Sequence, residues 1–169
     1  DGIDLNDEDE VVNAFSDLFG QRFVEVVDTN QNDAENEEFA VDKFSSIDIQ
    51  GSFQIRCTVS QKGFRTHSLT YYIDKFRFIK KAKHLLFEVT NLEIPDKYSS
   101  KHLTFYWKVR NYGDEAKAKD QLRGEIIRGG KSHKEHTLYR SMKHYVECFI
   151  VVNDIVIARN KIIVPIGDF

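Results

Sequence analysis

The chain is poor in several residue types, and each shortage rules something out. Only two cysteines occur in 169 residues, Cys57 and Cys148. They lie far apart, each inside an apolar strand-like run. They are expected as two buried thiols in a reducing cytoplasm, with a single disulfide as the lesser reading. No apolar run reaches 18 residues, so no membrane-spanning helix and no membrane partner are expected. The opening Asp-Gly-Ile-Asp has neither Met nor the charged-then-apolar start of a signal peptide, and the chain is expected to be a piece of something longer.

Catalytic motifs are missing as well. No phosphate-cradling G-x-x-x-x-G-K-[ST] occurs. "RGEIIRGGK" offers Gly-Gly-Lys without a Ser/Thr-initiated helix and is expected to be a hairpin tip. There is no G-x-S-x-G nucleophile elbow. "NDEDE" has acidic letters but no apolar strand around them. His133, His136, His144 and Cys148 lack the paired spacings of a zinc site. Glu135, His136, His144 and Glu147 could make an acid–base pair, but on adjacent strands they are expected as cross-strand partners. The chain is therefore expected not to be an enzyme and to need no metal or cofactor.

What is present suits one core with appendages, since 41% of the residues are hydrophobic. The net charge of −3 conceals a split. Residues 1–48 hold 15 acidic against 2 basic side chains, a net of −13, and residues 49–169 hold 12 against 22, a net of +10. One reading is an acidic tether before an ordinary basic domain. The sharper one is a basic part that receives a polyanion, nucleotide or nucleic acid.

In "DEDEVVNAFSDLFG", Val11, Val12, Phe15, Leu18 and Phe19 share one helical face, with acids in the first turn and Gly20 at the stop. Residues 28–46 read as a solvated acidic linker. From Ile47 the period changes to two. "SFQIRCTVS", "HLLFEVTNL", "LTFYWKV", "LRGEII" and "HYVECFIVV" read as strands, and "IVIAR" follows across Asn153-Asp154 as a two-residue hairpin. "KIIVPI" reads as a separate last strand, with Pro165 at its end or on an edge. "YYIDKFRFIKK" fits neither period cleanly. The predicted fold is all-β, an antiparallel two-sheet sandwich of immunoglobulin-like build over residues 47–169. It is preceded by a short N-terminal helix and acidic linker over residues 1–46; a small closed barrel is the second choice.

Residues 105–150 are dense in groups that folding alone does not require. Trp107 and Val109 share one strand face, and Lys108 and Arg110 the other. Trp107 is either core or a stacking platform for a base. Asn111 and Gly113 make a turn. Gly124, inside a strand, calls for a bulge or a close approach. Arg123 beside it either pairs with an acid such as Glu147 or faces an anion. His144 and Glu147 fall on opposite faces of one strand.

These blocks resemble the adenylyl/guanylyl and SMODS C-terminal sensor domain, which follows second-messenger nucleotidyltransferases in bacterial anti-phage systems. Trp107, Val109, Asn111, Gly113, Glu115 and Ala116 match its first block. Leu122, Arg123, Gly124 and Ile126 match the second. Glu135, Thr137 and Tyr139 match the third, and His144, Val146, Glu147, Cys148 and Ile150 the fourth. The likeness runs over about residues 84–166 and departs in two places: at Ser141-Met142-Lys143, where a glycine is expected near position 141, and in the linker before His144, one residue longer than the pattern. It implies a regulatory all-β module, an upstream nucleotidyltransferase domain as partner and a nucleotide or nucleic-acid ligand. Residues 1–46 would then be the tail of that catalytic domain. Ligand contact is expected from Trp107, Asn111, Arg123, Glu135, His144 and Glu147, with Lys108 and Arg110 as a basic fringe. The alternative is an assembly module that joins protomers or docks an effector.

Overall fold

The computed structural model describes residues 37–167; the helix expected around Val11–Phe19 lies outside them. The elements are α1 (Ala40–Lys43), β1 (Ser46–Ile47), β2 (Ser52–Ser60), β3 (His67–Ser68), α2 (Leu69–Phe76), β4 (Ile79–Lys80), β5 (His84–Glu93), β6 (Thr104–Arg110), α3 (Asp114–Ala118), β7 (Arg123–Gly129), β8 (Ser132–His136), β9 (Tyr145–Val152), β10 (Ile155–Ile163) and β11 (Ile166–Gly167). A five-stranded sheet has the order β1-β10-β9-β6-β7, and a four-stranded sheet the order β3-β2-β5-β8. The small pair β11-β4 completes the set. The long pairings are antiparallel, whereas β1–β10 and β11–β4 are parallel, so the sheets are mixed. The all-β expectation holds, and among the described residues no sheet closes into a barrel.

Alternation explains the packing. Phe53, Cys57 and Val59 of β2 and Leu85 and Phe87 of β5 meet Phe105, Trp107 and Val109 of β6 and Val146, Cys148 and Ile150 of β9 in one buried cluster. Both sheets thus feed a single core. Both thiols are free and buried in it, and burial pushes the Cys57 thiol up to about 12, so neither is a ready nucleophile.

The opposite face of β9 is not bare. Phe149 and Val151 form a second cluster with Ala40, Phe44, Ile126 and Val156. Phe44 lies edge-on to Tyr106, with ring centroids 5.0 Å apart. This corrects the solvated-linker reading for its described part. Residues 37–46 carry few apolar side chains, but Ala40 and Phe44 suffice to seat the segment on the sheet.

Other local expectations divide. Asn153 and Asp154 both take positive φ, 49° and 65°, in the β9–β10 turn, as the hairpin reading requires. Asn160 does not end a strand: its side chain donates to the Phe53 carbonyl at 2.6 Å, and "IVIAR" and the start of "KIIVPI" form one continuous β10. The ambiguous "YYIDKF" is helical. Ser68 caps it by accepting from the Tyr71 N–H at 3.2 Å, and Arg77 at φ 66° stops it. "RGGK" is no hairpin tip. It is the crossing from β7 in one sheet to β8 in the other, tied down by Trp107 Nε1 donating to the Gly130 carbonyl at 2.9 Å.

Candidate functional site

Where the chain leaves β6, enters β7 and leaves β8, a cleft of about 90 Å³ opens, lined by Asn111, Gln121, Arg123, Glu135, Tyr139 and their neighbours. Three of the eight residues expected to contact a ligand, Asn111, Arg123 and Glu135, line it. A fourth, His144, is bonded to Asn111.

Arg123 opens β7 at φ 60°, and Gly124 follows at φ 125°. Between Lys108 and Arg110 the β6–β7 register shifts, so the residue pair forms a bulge, as the in-strand glycine suggests. A non-glycine at positive φ is strained and persists only where its surroundings hold it. Here Arg123 is held at both ends. Its guanidinium donates to Glu135 Oε2 at 2.6 Å, and its carbonyl accepts from Arg110 Nη1 at 2.6 Å. The acid expected opposite it, Glu147, is not its partner. Arg123 belongs to one sheet and Glu135 to the other, so this ion pair spans the two.

Glu135 also accepts from His133 Nε2 at 2.6 Å, and the His133 ring stacks on Trp107 with centroids 5.5 Å apart. Burial pushes the Glu135 carboxyl up. The bonds from His133 and Arg123, with the charge of Arg123, outweigh that and hold it down at about 2. In the sequence, His133 stands out only as a possible metal ligand. The i, i+2 spacing of "HKE" already puts it on the same strand face as Glu135.

The Asn111 amide has one orientation. Its Nδ2 donates to the Gln121 carbonyl at 2.8 Å, which leaves Oδ1 to accept from His144 Nδ1 at 2.6 Å. His144 is 4% exposed, and burial holds its pKa down at about 4, with Glu135 and Arg123 near enough to act on it in opposite senses. The imidazole is thus neutral with its proton on Nδ1, and Nε2 presents a lone pair that has no hydrogen-bond partner among the described residues.

Trp107 is 2% exposed and takes the core role rather than that of an open stacking platform. Lys108 and Arg110 lie on the opposite face, as alternation predicts, yet they are no basic fringe. They are 3% and 0% exposed, because residues 37–39 cover that face. Glu37 lies 2.5 Å from Lys108 Nζ and 3.7 Å from Arg110 Nε, and accepts from the Tyr145 hydroxyl at 2.7 Å. Burial pushes its carboxyl up, but the bonds from Lys108 and Tyr145 and the two cations bring it below the usual range. Glu147 is half-buried on this same face, paired in register with Lys108 and Lys161, and burial raises its carboxyl.

Glu38 completes the cover. Its N–H donates to the Gly124 carbonyl at 3.1 Å, its carboxylate accepts from the Ile126 N–H at 2.6 Å, and its carbonyl accepts from Lys108 Nζ at 2.9 Å. The bulge exposes these β7 backbone groups on the sheet's edge, and Glu38 satisfies them. Neither Glu37 nor Glu38 was singled out in the sequence.

The remaining blocks of the pattern serve the cleft's frame. Thr137 accepts from the Lys83 N–H at 2.9 Å and donates to the Lys80 carbonyl at 3.1 Å. Glu115 accepts from the Arg140 N–H at 3.0 Å. Ser141, in place of the expected glycine, accepts from the Tyr112 N–H at 3.1 Å and bridges to Ile166.

Over residues 34–167 the chain matches the adenylyl/guanylyl and SMODS C-terminal sensor domain. It belongs to that family. No curated protein and no solved structure matches it. As a C-terminal sensor domain it is of a regulatory kind, associated with nucleotidyltransferases. The sensor domain's Arg-Gly bulge and its Asn111–His144 pair fall inside the matched span. Among the described residues, no helix is long and apolar enough to cross a membrane, and no group of His, Cys, Asp and Glu is placed to hold a metal.

Proposed function

We propose that this chain is the ligand-responsive part of a cytoplasmic, bacterial anti-phage nucleotidyltransferase. Nucleotide or nucleic acid binds at the Asn111–Arg123–Glu135–His144 cleft, and the response passes through residues 37–44 to the catalytic domain that precedes them. The observation that carries the reading is the shared bulge. Arg123 gives its side chain to the cleft and its carbonyl to Arg110, while Gly124 and Ile126 give their backbone groups to Glu38. A ligand that displaces Arg123 must therefore alter what holds the 37–44 segment. A coupling of about 1–3 kcal/mol through such a link suffices for roughly 5–150-fold control. The strand orders β2-β5-β8 and β7-β6-β9-β10 support an immunoglobulin-like reading of the two sheets, whose loops are common binding sites.

The test is the full-length protein in phage-challenged cells, with the second-messenger product quantified before and after infection. Asn111→Ala and Gln121→Ala should abolish the infection-dependent rise while the protein stays folded. An unchanged rise in both contradicts the reading. The assembly alternative draws on the exposed Phe39, Val41 and Ile127. Light scattering that gives a stable dimer, together with an unchanged response in the cleft variants, would favour it.

A further inference from the structure

We infer that the cleft receives a neutral, hydrogen-bonding ring, the edge of a nucleobase, and leaves the phosphate of a nucleotide outside. This rests on the reading of the cleft as the ligand site. Three observations carry it. The first is size. The cleft measures about 90 Å³, against about 300–1,000 Å³ for pockets that enclose a whole drug-sized ligand. It has room for one ring or ring edge.

The second is charge. Arg123 is the one cation among the lining residues, and Glu135 Oε2 neutralises it at 2.6 Å, while Glu135 Oε1 takes the His133 ring nitrogen at 2.6 Å. Among the lining side chains the charges thus cancel and leave a strong dipole; the nearest further cation, Lys119, is engaged over the Tyr139 ring at 5.3 Å, and an entering phosphate would gain little from Arg123 while meeting the Glu135 carboxylate. The third is the hydrogen-bonding character of the wall. Gln121, His136 and Tyr139 offer amide, imidazole and phenol groups, and each type both donates and accepts. Leu138 and Ile166 add apolar surface for a flat ring. Nucleobases carry donors and acceptors on one edge and are apolar on their faces, which suits such a wall.

The experiment titrates the 169-residue chain with adenosine, guanosine, cytidine, uridine and inorganic phosphate by calorimetry at about 0.05 and about 0.5 M NaCl. At least one nucleoside should bind, with affinity changing less than about twofold over that range, because no charge is neutralised. Phosphate should neither bind nor compete. Glu135→Gln should create phosphate binding, since it leaves Arg123 uncompensated. Phosphate binding to the unaltered chain, or its competition with the nucleoside, overturns the neutral-edge inference while upholding the cleft as a ligand site. No binding by any probe overturns the cleft as a nucleotide site altogether.

Discussion

Arg110 is the largest fully buried side chain among the described residues, and the sequence reading placed it on the basic fringe of a ligand site. Alternation in "WKVR" correctly separated it from Trp107, but strand parity says which face a residue takes and nothing about what covers that face. The cover, Glu37, lies in a segment whose composition reads as linker. Removing it strands two buried cations. Glu37→Ala should therefore lower the unfolding free energy by about 3–5 kcal/mol, read by urea denaturation with an unchanged slope. The double variant with Lys108→Met should recover part of that loss.

His144 and Glu135 set the acid response. Unfolded His144 takes up its proton near 6.5 and the folded residue only near about 4. For Glu135 the corresponding values are 4.5 and about 2. In both cases the unfolded state binds the proton first, so stability is full above about pH 6.5 and falls as the pH drops. His144 accounts for the window from 6.5 to 4, with roughly 3 kcal/mol at stake, and Glu135 for the window below 4.5. Melting temperatures measured across pH 7 to 4 should fall steeply, and His144→Gln should flatten that slope.

Among the elements, those with a clean period of two were legible: β2, β5, β6, β7 and β9 lie within a residue or two of their expected bounds. The misread ones needed long-range information. Helix α2 depends on a Ser68 cap and an Arg77 stop that interrupt its own apolar pattern. Strand β10 runs through Asn160 because Phe53, from the facing sheet, takes that side chain's hydrogen bond. The bulge was half legible. Gly124 announced it, but the roles of Arg123 and Glu38 at either side depend on partners that sequence distance hides. Because Gly124 sits at φ 125°, where side chains are rarely tolerated, Gly124→Ala should cost about 1–3 kcal/mol and weaken the infection response together with the stability, as seen in melting and product assays.

For the molecule as a whole, the two-sheet build was legible because alternating strands with polar connections leave few other ways to bury one face each. The pairing order was not, since parity does not name a neighbour. The basic balance of residues 49–169 also means less than its count suggests. Lys108, Arg110 and Arg123 are spent on Glu37 and Glu135, and Arg56 on Glu88 at 2.9 Å. What links the molecule's parts is the bulge between cleft and covering segment, and amide hydrogen exchange tests it without any ligand. In Glu135→Gln the cleft's ion pair is broken. The N–H groups of Glu38 and Ile126, on the other side of the bulge, should then exchange at least several-fold faster than in the unaltered chain. Faster exchange confined to residues 133–136, with Glu38 and Ile126 unchanged, would contradict the coupling on which the regulatory account stands.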